Sequence, residues 1–593
     1  MSYLDVPRLH FAGTFRADPS TVNNTPQNFD PATSINPNDA GWNPGGTGQW
    51  QILNCTVQSV VYDDGTICSS STEDSVVGSP VQGTDQPQVA KLVDLDSEQQ
   101  MVSEIYGFQV RLGASSEAGA FVGNFEVAAF SDIWFRAQAG GGGDAPMGAF
   151  YQSVLSGIEW GDVSNSRFLK MLMAASPNLL SIKFNLDGID MDSSSQNFTL
   201  GRIVGTIGPA APEEPQQFVA GRLLRSAPGT NPDPNLQPMA LQGTPPASPM
   251  FFAPCRIDET RQVLLLDLGN SISTTTPGGP VNPALGDLQL AILPDNASPV
   301  LLGPVNYQAP NWYPNTAGIQ EFPLTNGQLN QASNAPLGIV QLDTNGNISA
   351  PLLQEDANGL FVRADTFVFR LNPGETGKVY FWATQFGRPA RQQQINLAQD
   401  PTTVNQMQSP PNPQNIPIGT PASALSTAQG PFPTTVTTDN LGLASITLSA
   451  SDPGNPRQFI DGQVYGVSYI LEASTTGNDN PDPSNFISVL VFNSYPEPAN
   501  PTWQDIQPIF AQYAKLYPYM TTNVGINLGV YQDVKNNLAA IKRVLSLPKT
   551  DPGYMQVTRD MSRDKVSMIL NWINLGAPLG PNAGPQSESY KAE

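Results

Sequence analysis

The 593 residues carry 28 lysines and arginines against 51 aspartates and glutamates, a formal charge of -23. That field repels phosphate backbones and anionic headgroups, which excludes nucleic acid and membrane surfaces as expected partners. Only 13% of the chain is charged, about half the share of an ordinary globular protein. The surface is therefore expected to be built from Asn, Gln, Ser, Thr and Pro, which suits protein–protein assembly. No apolar run approaches the roughly 18 residues of a membrane helix. The N-terminus has polar breaks where a signal peptide needs an apolar core, so a cytoplasmic chain is expected.

In chain order, a strand-like run begins at Tyr3. Short apolar or alternating runs follow at residues 57–62, 108–112, 121–130, 180–184, 263–268, 288–293 and 467–471, each bounded by Gly, Pro, Asn or Asp. With 52 Gly and 56 Pro punctuating the sequence, the expected fold is mainly β, in sandwich- or barrel-like units, with a C-terminal helical unit. Proline-rich breaks at 209–215 and 232–249 suggest a seam near 245, and the Gln-, Asn- and Pro-rich stretch 392–433 reads as a surface excursion. Helical spacing appears at 503–520, 529–547 and 564–575, where Ile506, Ile509, Phe510, Tyr513 and Leu516 form one stripe. Asp564 is the expected N-cap of the last helix and Gly576 its stop. The expected division is a β domain over residues 1–245, a second over 246–500, a helical unit over 501–578 and a polar tail over 579–593.

Candidate chemistry is sparse. His10 is the only histidine. An imidazole there offers a base or a ligand, but in a Val6, Leu9, Phe11 setting a buried side chain with one satisfied hydrogen bond is the commoner outcome. Alternation places Arg8 on the same face as His10, with Asp5 opposite. An arginine fork there would hold a carboxylate ligand or pair internally with an acidic residue at a domain junction. Arg8 and His10 are the weak ligand-contact candidates.

The run Asp343-Thr344-Asn345-Gly346-Asn347 resembles the start of a calcium loop. It has Gln354 where the distal Glu belongs, and a hairpin with an Asn-Gly turn is the better reading. The glycines at 140–143 lack a phosphate-loop ending, and no nucleophile elbow occurs. A carboxylate pair stays open, since 51 acidic residues allow many pairings. Cys55, Cys68 and Cys255 make no disulfide framework, although Cys55 and Cys68 could face each other across a hairpin. Trp42, Trp50, Trp134, Trp160, Trp312 and Tyr313 could stack on indole or sugar rings, with core packing the commoner role. No metal or organic cofactor is expected.

Several stretches carry a resemblance. Tyr3-Leu4-Asp5-Val6-Pro7-Arg8-Leu9-His10-Phe11-Ala12-Gly13 resembles the opening of the iminophenyl-pyruvate dimer synthases of violacein formation and the related chromopyrrolic acid synthases. Similar blocks follow in order at 198–208, 219–224, 256–271, 285–288, 364–381, 513–520 and 559–562, spanning residues 1–578. The resemblance implies the family's N-terminal half. The ferritin-like domain that supplies oxidative coupling through Glu-x-x-His iron ligands would follow it, and with one histidine that chemistry is not expected in this chain. A non-catalytic scaffold or binding protein is the first expectation, docking a protein partner or copies of itself through Phe510, Tyr513, Leu516 and Tyr517. Alternatives are a small-molecule-binding component of tryptophan-derived secondary metabolism working with a separate iron protein, and a self-assembling structural protein.

Overall fold

The computed structural model describes residues 1–19, 26–33, 45–83, 89–113, 120–137, 143–226, 250–400, 414–474 and 486–580. Trp42, most of the glycine run at 140–143, the proline break at 232–249 and nearly all of the polar tail lie outside the described residues. The architecture is mainly β, with barrels and a C-terminal helical segment.

Strand Arg8–Asp18 organises the first body because it is hydrogen bonded on both sides, to Leu200–Pro209 and to Gln49–Val61. From Leu200–Pro209 the ladder runs through Leu180–Asp187, Met147–Trp160, Phe121–Phe125, Gln109–Leu112 and Pro80–Gln82 back to Gln49–Val61. Eight strands thus close into a barrel without a free edge. Alternation sends Leu9, Phe11 and Phe15 into its core. Phe11 lies opposite Gly205 and Phe15 opposite Gly201. A Cβ at those glycines would sit 2.4 Å from Phe11 Cζ and 2.3 Å from Phe15 Cε1, so the missing side chains make room for the rings. Trp50 fills the same interior against Phe108 and Phe184.

The second body is an eight-stranded sheet in the order Val300–Pro304, Asp287–Ile292, Leu337–Leu342, Leu353–Gln354, Arg222–Ser226, Ala253–Asp258, Val263–Asp267, Ile319–Pro323. Its two outer strands come back together where Gln320 Nε2 donates to Pro304 O at 2.8 Å, curling the sheet around a leucine-rich core. Arg222–Ser226 precedes the expected seam near 245 yet pairs with Ala253–Asp258, so sheet membership already changes ahead of residue 222. In the calcium-like run, Leu342 bridges Ile348 and Asp343 Oδ1 accepts from Asn345 N and Asn347 N at 2.8 Å each. The geometry is that of a turn.

The strands between residues 360 and 491 form a sandwich, whose two sheets share one core of Val379, Phe381, Ile446, Leu448, Ile395, Leu397, Tyr465, Val467 and Val489. The expected surface excursion at 392–433 is corrected in part. Gln394–Gln399 is a sheet strand paired to Gln463–Leu471, because Ile395 and Leu397 alternate into the core.

The helices Trp503–Leu516, Tyr531–Asn536, Leu538–Leu545 and Arg563–Asn574 close the described chain. Ser562, and not Asp564, occupies the N-cap of the last helix. Asp564 lies in the first turn and accepts from Tyr495 N at 3.1 Å. The stop falls where expected, with Gly576 at φ 84°. Among the described residues no helix is long and apolar enough to cross a membrane.

Cys55 and Cys68 do not face each other: Cys55 pairs with Val81 and Cys68 with Val60, and all three thiols are free and buried. Burial pushes the Cys55 thiol up to about 12, against the carbonyls of Leu53 and Thr14, and raises Cys255 as well. Thiolate is the reactive form. Neither thiol of the native chain is expected to react with an aromatic disulfide reagent at pH 8, and both should react in denaturant. Native-state reaction at a free-thiol rate would show that these cores open.

Candidate functional site

Arg8 and His10 point out of the barrel into its junction with the second body, and each is 2% exposed. Arg8 donates to Leu4 O at 2.7 Å and to Glu321 Oε1, in the second body, at 2.8 Å. It is thus the internal partner of an acid at a body junction. His10 Nδ1 lies 2.9 Å from Thr206 Oγ1. Burial, with the Arg8 charge adding, holds the imidazole well below its ordinary range, so the ring is neutral and enclosed. Asp5 accepts from Ser2 N at 2.7 Å and pairs with Arg256 at 3.2 Å. All three polar side chains are thus engaged within the chain.

The same junction holds further charges that sequence reading missed. Lys183 Nζ and Tyr3 OH both donate to Asp267 Oδ2, at 2.5 and 2.6 Å. Arg136 and Arg202 flank the Tyr313 ring at 4.8 Å each. Burial would raise the carboxyl of Asp187, but Arg202 and Arg136 hold it below the usual range. These pairs join residues up to 264 positions apart, and no local motif signals them. Among the described residues no three His, Cys, Asp or Glu side chains converge as metal ligands would.

The aromatic candidates pack inward. Trp134 is fully buried against Phe251, while Trp312 and Tyr313 are each 7% exposed in the second core. Trp160 packs on Phe121. The helical stripe is corrected as a docking surface. Phe510 and Tyr513 are 4% and 6% exposed inside the helical core, and Leu516 is enclosed by Phe29 and Ile460. Tyr517 is half-buried, stacks on Tyr513 at 6.1 Å and donates to Thr558 Oγ1 at 2.7 Å. The apolar periodicity is real, and the chain's own elements satisfy it.

A cleft of about 450 Å³ lies on the sandwich, within the range of small-molecule sites. Leu360–Ala364, Gln394–Gln399 and Gln463–Leu471 supply its floor through Phe361, Leu397, Tyr469 and Leu471, all buried. Tyr469 OH is fixed by donation from Ala364 N at 2.8 Å, which ties the two sheets together beside the cleft. Asn396, Thr434 and Ser468 are half-buried around it, Thr435 is exposed, and Arg225 and Asp400 contribute charge. An apolar, aromatic-bearing floor under a polar rim favours a flat amphipathic guest over a purely ionic one.

No protein-family model matches this chain, and no curated protein matches its sequence. Among solved structures, the S-layer protein rSbsC(31-844) aligns over 71% of this chain and 51% of its own at 10% identity with a TM-score of 0.15. A second structure of surface layer protein SbsC, domains 1-6, aligns over 71% and 50% at 10% identity with a TM-score of 0.14. The chain spans about half the length of these structures, and similarity at that level carries no argument about its fold or its function.

Proposed function

We propose that this chain is a non-catalytic binding protein, descended from the imine-dimer synthase scaffold, which holds a small aromatic molecule of tryptophan-derived metabolism in the sandwich cleft. The observation that carries this reading is the cleft itself, with its Phe361 and Tyr469 floor and its Asn, Ser and Thr rim. Docking through the helical stripe has lost its support, since those side chains are enclosed. A separately encoded iron protein would supply the redox chemistry.

Calorimetric titration of the whole chain with indole-3-pyruvate is expected to show saturable one-site binding. Ser468→Trp, which places an indole in the cleft mouth from a half-buried position, should weaken that binding at least ~10-fold while leaving the melting profile unchanged. Absence of saturable binding in the natural chain would overturn the ligand assignment. Stoichiometric iron with aerobic turnover of indole-3-pyruvate imine would overturn the non-catalytic part.

A further inference from the structure

The barrel, the sandwich and the helical unit meet around a cavity of about 10 Å³, room for one water molecule. Four carboxylates from three bodies line it. Asp94 and Asp96 come from strand Ala90–Asp96, which extends the barrel sheet. Asp461 precedes sandwich strand Gln463–Leu471, and Asp560 leads into the last helix.

Their counter-charges are unequal. Asp96 is clamped by Arg457 at 2.7 and 2.9 Å. Asp461 pairs with Lys565 at 3.1 Å and accepts from Ser562 N at 2.9 Å, both through Oδ2. Asp560 accepts from Tyr513 OH at 3.0 Å through Oδ1 and, among the described residues, has no cation at ion-pair distance. Asp461 Oδ1 and Asp560 Oδ2 are both shut off from solvent without a hydrogen-bond partner, and Asp461 is 7% exposed. Two buried acceptor oxygens beside a water-sized space require donors. One water gives a hydrogen to each, and with Asp94, Asp96 and Asp461 lining the same cavity a proton on Asp560 removes the fourth negative charge from it.

We propose that this junction is a proton-operated latch, in which the protonated Asp560 carboxyl is linked through one water in the cavity to Asp461 and holds the helical unit against the barrel and the sandwich. Opening follows the balance closed Asp560–COOH ⇌ open Asp560–COO⁻ + H⁺, with the proton released to solvent. The inference is independent of what the sandwich cleft binds.

The surroundings fit a retained proton. From the helical unit, Tyr513 and Tyr517 face Asp560, and burial raises both phenols well above their ordinary range. From the barrel side, Asp94 and Asp96 face it, the latter paired with Arg457. From the sandwich come Asp461, paired with Lys565, and at longer range Arg370. On its own segment Asp560 follows Arg559, and Tyr554 lies near. Burial pushes the Asp560 carboxyl up to about 6, with the Asp96 charge adding and the nearby hydroxyls of Thr558 and Tyr513 opposing. The closed state therefore binds the proton more tightly than the open one, whose carboxyl keeps its ordinary value near 3.8. Closure is tightest below about 4 and weakens as the pH rises through about 6. His10, neutral and buried, acts in the opposite direction, losing stability as the pH falls below 6.5. The difference between the natural chain and an Asp560 variant isolates the latch from it.

The test is amide hydrogen exchange of helix Trp503–Leu516 in the full chain, corrected for intrinsic rates, from pH 4 to pH 7. Opening in the natural chain is expected to rise roughly 100-fold across that interval, while Asp560→Asn shows no such rise. Parallel profiles for the two chains would overturn the latch. Should D560N not fold, Asp461→Asn decides. Its amide offers a donor to the Asp560 carboxylate, so the midpoint of opening should move down by about one pH unit or more, and an unmoved midpoint would overturn the proposal.

Discussion

Arg457→Met is expected to destabilise the contact between sandwich and barrel by about 3–5 kcal/mol. Arg457 is fully buried. It donates to Asp96 Oδ1 and Oδ2, to Glu98 Oε2 at 2.9 Å and to Gly462 O at 2.7 Å, so one guanidinium neutralises two carboxylates on the hairpin of strands Ala90–Asp96 and Gln99–Tyr106. Methionine keeps most of the volume and removes the charge. Asp96 and Glu98, 5% and 3% exposed, would then lose the guanidinium they share in a poorly hydrated place, which costs far more than the net worth of the pair. Urea denaturation followed by far-UV circular dichroism and tryptophan fluorescence should show an earlier first transition. The triple variant R457M/D96N/E98Q should recover most of the loss, because the penalty lies in the abandoned carboxylates. A loss below about 1 kcal/mol for R457M alone would show that water reaches this contact.

That cluster illustrates what the sequence made legible. The strands at 57–62, 180–184, 263–268 and 467–471 were readable because alternation and Gly/Pro boundaries are local signals, and each falls within an observed strand or overlaps one. Closure of the barrel was not, since Arg8–Asp18 pairs with a strand nearly two hundred residues away and no window contains both. Gln394–Gln399 was hidden by its composition: the Gln and Asn on its outer face outweighed Ile395 and Leu397 on its inner face. The buried arginines were hidden for the opposite reason. A low charge content suggested neutral surfaces, whereas Arg8, Arg136, Arg222, Arg363 and Arg457 are spent inside, each against an acid distant in sequence. The cleft is likewise assembled from Phe361, Leu397 and Tyr469, which share no motif. Arg8 and His10 were readable as a buried polar pair from their strand setting alone, although their partners Glu321 and Thr206 were not.

The helical stripe separates periodicity from exposure, and Phe510→Asp measures the difference. An amphipathic pattern says that one helix face is covered, not by what. Here the cover is internal: Phe510 lies 6.1 Å from Trp503 and 6.5 Å from Trp572, ring centre to ring centre, and Trp503 packs on Trp572 at 5.7 Å. Removing the ring costs about 3–5 kcal/mol as a cavity, and the new carboxylate finds no cation within this aromatic group, which adds a desolvation penalty. The helical unit of F510D is therefore expected to unfold, with loss of helical dichroism and a red shift from Trp503 and Trp572, while the strand signal of barrel and sandwich persists. Tyr513→Phe, which deletes only the hydroxyl bonded to Asp560, should leave the unit folded. A docking face would behave in the reverse manner: F510D would stay folded, melt as the natural chain does and fail only to bind a partner. The enclosure of Phe510 by two tryptophans makes unfolding the expected result, and retained helicity in F510D would return the stripe to the surface.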